Sequence, residues 1–491
     1  DVGIGLRLAN SRSGTGRDSS LWKACAPLAS PPFPPVQPSR MRFRNLTRRR
    51  EIGANCYLLE SGDQRVVLDS GMHPKLAGYP ATPDFGPLPA HSANAIFITH
   101  AHHDHIGSLP LLQRQQEETP VLMTEVTGEL SNAMLHNSVN VMTKQREEEN
   151  IHEYPLFTHR ELDGIRRNWI YRDIDRAFTV PDTEWEATLF DAGHILGSTG
   201  VLIREGSNTL FYTGDVNFEN QTICRAADVP TSGIDVLVME STRGDFARPE
   251  GYSRKGEKER LASVIRDTYE AGGAVLIPVF ALGKTQEVMV MVHELLEEGL
   301  IPECPLFMGG LSTKITVLYD HYASRSRRSY PGFRILEDIK MLTPRKRGRT
   351  ELTANARCLY ALSSGMMTEH TASNQFAWKF LDNPRNAICF VGYTDPESPG
   401  YKIRTAKEGD MIKLARDLPA VPLRCRVESF DLSAHATREQ LADYAEKVKP
   451  KKILLVHGEE PAQNWFINRF RDTIPETEII RPDTHQPVDL W

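Results

Sequence analysis

The sequence predicts an α/β protein in which one α/β unit is inserted into another, and three observations carry that expectation. Apolar, β-branched runs alternate with helical patterns along most of the chain. Several of those runs end directly in His, Asp or Glu. Two strand-end histidines, His435 and His457, stand far downstream of a dense early group formed by His100, His102, Asp104 and His105. If the late histidines join the early ones, the chain leaves the first unit near 243 and re-enters it near 428, so the segment between is an insertion.

With 491 residues and 40% hydrophobic content the chain can bury more than one core, and the size prior gives roughly two to four domains. Net charge is −6, from 58 basic and 64 acidic residues, so a nucleic-acid partner must be held by a local basic surface and not by global charge. The seven cysteines are dispersed without a CxxC pair, which reads as reduced thiols in a cytoplasmic protein and argues against a disulfide framework or a cysteine zinc site. No run approaches the ~20 apolar residues of a membrane helix, so no membrane partner is expected. Residues 1–40 are rich in Ser, Pro, Gly and Arg and are read as a disordered extension; Met41 is a candidate natural start, and a transit peptide is the alternative.

Taken in order, ANCYLLE (54–60) and QRVVLD (64–69) read as two strands joined by Ser61-Gly62-Asp63, an antiparallel hairpin that leaves Asp69 at a strand end. The next strand, within IFITHAHHDHIG (96–107), delivers His100, His102, Asp104 and His105 into its connection. A helix is expected over 107–116, a short strand at PVLMT, and a polar, helical, peripheral segment from Thr124 to about Asp175, whose His136, His152 and His159 read as surface residues. A strand at 185–190 leads to FDAGHILGSTG with His194 in a Gly-flanked loop; TLFYTGDVN ends in Gly214-Asp215, and IDVLVME (234–240) ends in Glu240. Helical patterns at 257–271, 283–299 and 312–323 then alternate with the apolar segments GGAVLIPVF, PLFMGG, RCLYALSS and AICFVGY, which predicts a parallel sheet. VESFDLSAHAT places His435 after an alternating strand, a helix covers 438–448, and KKILLVHGEE ends a buried strand at His457.

In extended backbone, residues i and i+2 face the same way, so His100 and His102 can share one cation while Asp104 and His105 reach a second. Imidazole and carboxylate at this density suit zinc, with manganese second, better than calcium or magnesium; a His-rich surface loop is the plain alternative. A carboxylate at Asp69 is a natural partner behind a metal-bound histidine, although taken alone it is more often a turn residue.

The ordered set of Asp69, HAHHDH, His194 and Asp215 resembles the metallo-β-lactamase fold, an αββα sandwich. Glu240, SAH at 433–435, LVHGE at 455–459 and GGAVLIPVFALGKTQE resemble its β-CASP nuclease branch, which includes the nuclease subunit of the mRNA 3′-end cleavage machinery and prokaryotic homologues. The similarity runs from 41 to about 485. It implies a metallo-β-lactamase domain at 41–243 and 429–491 with a β-CASP domain at 244–428. It also implies two zinc ions (manganese as the alternative), one held by His100, His102 and His194, the other by Asp104, His105 and His457, with Asp215 bridging. Two such ions can share a water and lower its pKa toward neutrality. By the same resemblance the catalytic residues are Asp104, Asp215, Glu240 and His435, the last as general acid oriented by Glu240. The implied function is a ribonuclease acting on single-stranded RNA in a cleft between the two domains, with a 5′-phosphate and a 3′-hydroxyl as products. A DNA nuclease of the same branch and a small-ester hydrolase are the alternatives, and a homo-oligomer is left open. Relatives often carry an acidic residue two positions after the SAH histidine, where this chain has Thr437. Ser363, Ser364 and Gly365 are either backbone-phosphate contacts or a simple turn. The basic residues Arg325, Arg327, Arg328, Arg345, Lys346, Arg347 and Arg349 are either phosphate contacts or a solvated face.

Overall fold

Alternation of side chains along each strand decides the layering. The computed structural model describes residues 40–341 and 354–491. In one seven-stranded sheet the order is Pro487–Asp489, Arg42–Asn45, Tyr57–Ser61, Gln64–Leu68, Ala95–Phe97, Val121–Met123 and Trp169–Tyr171. In a second it is Glu478–Ile480, Lys452–Val456, Val236–Glu240, Asn208–Tyr212, Thr199–Glu205, Glu186–Asp191 and Ala177–Thr179. Tyr57, Leu59, Val66, Leu68 and Phe97 of the first pack against Ile203, Leu210, Tyr212, Val236, Val238 and Leu454 of the second. The intervening residues face outward. Leu58, Val67 and Ile96 meet Leu112, Leu130 and Leu135 of helices Leu109–Gln115 and Glu125–Glu149, and Leu237, Met239 and Leu455 meet Leu441, Phe466 and Phe470 of helices Arg438–Val448 and Glu460–Thr473. The result is the αββα sandwich. Each such side chain, fully buried, contributes on the order of 1.5–3 kcal/mol.

The expected hairpin forms, with Ser61 paired to Gln64 across Gly62-Asp63. Strands 64–68, 95–97 and 121–123 run parallel, as do 208–212, 236–240 and 452–456. Parallel strands present their carboxyl ends on one edge of a sheet, which is why so many of these runs end in a ligand-type residue.

A third sheet is parallel throughout, in the order Leu306–Met308, Leu359–Leu362, Val275–Pro278, Ala387–Phe390 and Arg426–Ser429. The strand that approaches His435 therefore belongs to this sheet and not to the sandwich. A bidentate pair, Arg243 Nη1 and Nη2 to Asp431 Oδ1 and Oδ2 at 3.0 and 2.7 Å, ties the exit from strand 236–240 to the segment leading into the SAH loop. Arg248 adds bonds to Asp431 and Glu219.

The basic segment at 324–328 is not a free phosphate surface. Arg328 is 1% exposed; its guanidinium donates to the carbonyls of Tyr319 and Phe333 and to Ser326 Oγ. Arg327 pairs with Asp191 and Asp228, and Arg325 lies over Tyr322. A buried guanidinium needs these acceptors, so it is spent on structure. Arg345, Lys346, Arg347 and Arg349, like the extension 1–39, lie outside the described residues. Arg328→Ala is expected to lower unfolding free energy by ~1–3 kcal/mol, the cost of stranding its acceptors, while leaving the salt dependence of RNA binding unchanged; denaturant melts and binding at several salt concentrations check both.

Candidate metal centre

The chain stays extended beyond strand 95–97, with Ile98 N bonding Leu122 O and Thr99 O accepting from Thr199 N. His100 and His102 consequently point to the same side, and His102, still extended (φ −69°, ψ 149°), begins the helical turn His103–Ile106. That turn sends His103 away, toward Ser138 Oγ at 3.4 Å, and brings Asp104 and His105 back to the site. His194 comes from the loop after strand 186–191 and Asp215 from the end of strand 208–212.

His102 Nδ1 lies 3.2 Å from His100 Nε2 and 3.0 Å from His194 Nε2; Asp215 Oδ2 lies 3.4 and 3.6 Å from those two nitrogens. Ligands about 2.0–2.1 Å from a tetrahedral zinc stand about 3.4 Å from one another, so these four atoms are spaced as one coordination shell. On the other side of Asp215, Asp104, His105 and His457 form a second group. His457 Nε2 is 3.2 Å from Asp104 Oδ2, and His457 Nδ1 is 2.9 Å from Asp215 Oδ1. His457 follows strand 452–456 with φ 47°, a left-handed turn that His tolerates better than most residues and that swings the ring into the site. Asp215 thus faces both groups. Its Oδ1 is buried and has no partner with hydrogen-bond geometry, despite the nearby imidazoles.

Behind His105 stands Asp69, fully buried, at φ 59° after strand 64–68. Its carboxylate accepts from His105 Nδ1 (2.8 Å), Thr99 N (2.8 Å), Thr99 Oγ1 and Tyr212 OH (2.8 Å), which leaves His105 Nε2 facing the centre. Close packing requires glycine at 71, where a Cβ would fall 1.6 Å from Asp104 O. Asp69→Asn removes the charge behind His105 and is expected to weaken metal affinity ~10- to 100-fold, measured by competition with a chelator of known affinity.

The third group is Asp215, Glu240 and His435. Glu240, 1% exposed, accepts from Val216 N at 2.7 Å and from His435 Nδ1 at 3.0 Å. His194 Nδ1 donates to Ala434 O at 2.9 Å, tying the SAH loop to the first ligand group. Thr437, at the position that is acidic in relatives, caps helix Arg438–Val448 in a reciprocal box with Gln440, so the acid that supports His435 is Glu240.

Burial and neighbouring imidazoles hold His100 and His194 well below the ordinary histidine pKa, so both are neutral lone-pair donors. For His105 and His457 burial acts in the same direction but is outweighed by carboxylates: Asp215, Asp69 and Asp104 raise His105 well above its usual range, and Asp215 and Asp104 lift His457 to about 10. Asp215 is driven well below the usual carboxylate range by His457, His105 and His435, against burial. His435 is raised by Glu240 and Asp215, again against burial. Buried carboxylates among imidazoles, with one carboxylate oxygen unbonded, are a donor set suited to divalent cations, whose binding displaces the protons on His105 and His457.

Every metal-site residue expected from the sequence, His100, His102, Asp104, His105, His194, Asp215 and His457, falls in these groups, as do Glu240 and His435. Ser363, Ser364 and Gly365 lie elsewhere, at the end of strand 359–362, where Ser363 O and Ser364 O accept from Ser373 and Gly365 packs on Phe280. Sequence reading missed Tyr212, Thr99 and Asn55. Asn55, 1% exposed, has Nδ2 at 3.0 Å from His105 Nε2 and Oδ1 bonded to Tyr57 OH. None of the three is a titrating ligand type in a motif, so no pattern marks them.

A sandwich edge bearing two ligand groups that share one carboxylate, beside an imidazole–carboxylate pair, defines a metallo-hydrolase. Residues 49–270 match the family model described as metallo-beta-lactamase superfamily, 285–403 the Beta-Casp domain, and 420–482 the Zn-dependent metallo-hydrolase RNA specificity domain. The chain is similar to the transcription termination factor FttA of Methanothermobacter thermautotrophicus, with 31% identity over 90% of this chain and 70% of that one. It is also similar to the probable RNase MJ4 of Methanocaldococcus jannaschii, with 28% identity over 86% of this chain and 95% of that one. A crystal structure of a protein of unknown function from Enterococcus faecalis V583 shares the fold, with a TM-score of 0.57 and 13% identity over 92% of this chain and 99% of that one. The chain belongs to the metallo-β-lactamase superfamily, in its β-CASP branch.

Proposed function

We propose that this protein is a metal-dependent ribonuclease that hydrolyses phosphodiester bonds in single-stranded RNA, leaving a 5′-phosphate and a 3′-hydroxyl. The observation that carries the reading is Asp215 standing between two ligand groups while also neighbouring the Glu240–His435 pair. In this reading His100, His102 and His194 would hold one zinc ion and Asp104, His105 and His457 a second, with Asp215 placed beside both groups and manganese able to substitute. Two divalent ions so held acidify a water and neutralise charge on a transferring phosphoryl group.

The protein's own groups do the rest. Glu240 takes the hydrogen bond from His435 Nδ1 and favours the protonated form of that imidazole, whose Nε2–H would serve the departing ribose 3′-oxygen. Asp69 fixes the His105 ring, and Ala434 O fixes His194. The RNA specificity match and the ribonuclease named among the relatives support RNA as substrate. We place the division of the chain at 243 and 428, supported by the third sheet, whose last strand, 426–429, straddles the second of these points. Among the described residues no helix is long and apolar enough to cross a membrane, and the six described cysteines carry free thiols, which fit a reducing cytoplasm.

The test is turnover of single-stranded RNA and DNA of matched sequence at fixed salt, with elemental analysis of the same preparation. The expected result is two zinc or manganese ions per chain, cleavage of RNA over DNA, and loss of cleavage on chelation. Equal or faster cutting of DNA overturns the substrate; well under one ion per chain with chelator-indifferent activity overturns the mechanism.

A further inference from the structure

In an open parallel α/β sheet, ligands bind at the carboxyl ends of the strands, in the crevice where neighbouring strands connect in opposite directions. The third sheet has one such crevice. Strand 275–278 leads through helix Lys284–Glu297 to strand 306–308 on one side, whereas its neighbour 387–390 leads to 426–429 on the other. Helix Lys284–Glu297 packs with Val275 and Ile277 on one face, and helix Ala372–Leu381 packs with Leu276 and Ile388 on the opposite face.

The loops that leave these two strands line the crevice, and the first of them reaches the metal centre. At Gly283, where φ is 83°, a Cβ would fall 2.6 Å from Ile195 Cγ2 and 3.9 Å from His102 Nε2. At Gly392 a Cβ would reach 4.0 Å from Lys284 Cε. One residue further on stands Tyr393, 58% exposed.

Its exposure is not that of a loose side chain. The phenol hydroxyl donates to Asp395 Oδ2 at 3.3 Å, and Asp395 is itself 3% exposed and paired with Lys75 Nζ at 2.6 Å. Lys75 follows strand 64–68 of the sandwich, so the ring is anchored where the two halves of the molecule meet, with its face open. The hydroxyl side of the ring is acidic, and the nearby guanidinium of Arg404 donates to Thr394 Oγ1 at 3.1 Å. Burial together with Asp395, Glu459 and Asp245 raises the hydroxyl pKa, Lys75 is engaged by Asp395, and Lys284 donates to Leu432 O. An anchored, open aromatic ring among carboxylates fits an uncharged planar group.

We propose that Tyr393 is a stacking platform for one nucleobase of the substrate, on a nucleotide flanking the bond presented to the metal centre. This rests on the ribonuclease reading above and adds a base subsite to it. Stacking on an aromatic side chain is sequence-tolerant, because every base has a π-face.

The experiment uses the full chain and a short single-site RNA in which one base at a time is replaced by an abasic riboside. Both kcat/KM and Kd, by fluorescence anisotropy, are read for wild type, Tyr393→Ala and Tyr393→Phe. Wild type is expected to lose about 5- to 150-fold at one abasic position. Tyr393→Ala should lose as much on the intact RNA and become indifferent to that position, and Tyr393→Phe should recover most of the loss. Tyr393→Ala matching wild type on intact RNA, or its loss multiplying with the abasic loss at every position, overturns the subsite and leaves the ribonuclease standing. A chain whose RNA binding depends on Tyr393 at one position but which never cuts supports the subsite and overturns the ribonuclease. A chain that neither binds nor cuts RNA overturns both.

Discussion

Asp215→Ala is expected to lower kcat/KM on RNA by ~10⁴-fold or more, because it removes the carboxylate between the ions that would bring a water's pKa from about 15.7 toward 7. The same variant should lose at least one ion per chain. Asp215 is 2% exposed, and its two oxygens approach His100, His194, His105 and His457 at 3.4, 3.6, 3.5 and 2.9 Å. Among the described residues no other carboxylate stands beside both ligand groups, so none of them can replace it. Elemental analysis after gel filtration, alongside initial rates, checks both effects. Asp215→Asn, which keeps the shape, should fail in the same way. A variant that retains both ions and a tenth of the activity would show that Asp215 is not shared.

His435→Ala should behave differently, with both ions retained, RNA bound, and kcat reduced ~10²- to 10⁴-fold, the usual contribution of a general acid. His435 is bonded to Glu240 and not to either ligand group, although its ring stands 4.5 Å from that of His194. The chemical signature is rescue by leaving group. A linkage with sulfur in place of the 3′-oxygen departs as a thiolate that needs no proton, so His435→Ala should cut it at close to the wild-type rate. Glu240→Gln should share the defect and the rescue. If His435→Ala loses an ion, or if the sulfur linkage gives no rescue, His435 is not the proton donor.

The candidate site was legible because divalent-metal ligands come from a few residue types, here His and Asp, and because parallel strands deliver most of them at their carboxyl ends. His100 to His105, Asp215 and His457 each follow an apolar run, and His194 stands in a Gly-flanked loop after strand 186–191. The neighbours that tune them were not legible. Tyr212 lies on the strand that delivers Asp215, but only the packing of the two sheets turns its hydroxyl onto Asp69, a residue far away in the chain. Asn55 is likewise brought to His105 by the hairpin that it precedes. In the fold, long apolar strands and the helix at 438–448 could be read directly, whereas Trp169–Tyr171, Ala177–Thr179 and Glu478–Ile480 could not: each is three residues long, and such short strands are fixed by pairing at or near a sheet edge more than by their own pattern. Arg328 shows the opposite failure. A run of arginines looks like surface, but one of them is enclosed by the carbonyls of its own loop, and composition carries no trace of that.

Strand 452–456 lies between 236–240 and 478–480 and carries His457 at its end. During synthesis at about 5–20 residues per second, its partner 236–240 therefore waits on the order of 10–40 s for it. Over that interval the nascent chain exposes an open, apolar strand edge, the kind of surface that recruits chaperones or a second chain. The same delay is protective for a nuclease born beside messenger RNA: the last ligand arrives with a central strand of the sandwich, ahead of strands 478–480 and 487–489, so a partly made chain has neither a finished fold nor a finished centre with which to cut the message being translated.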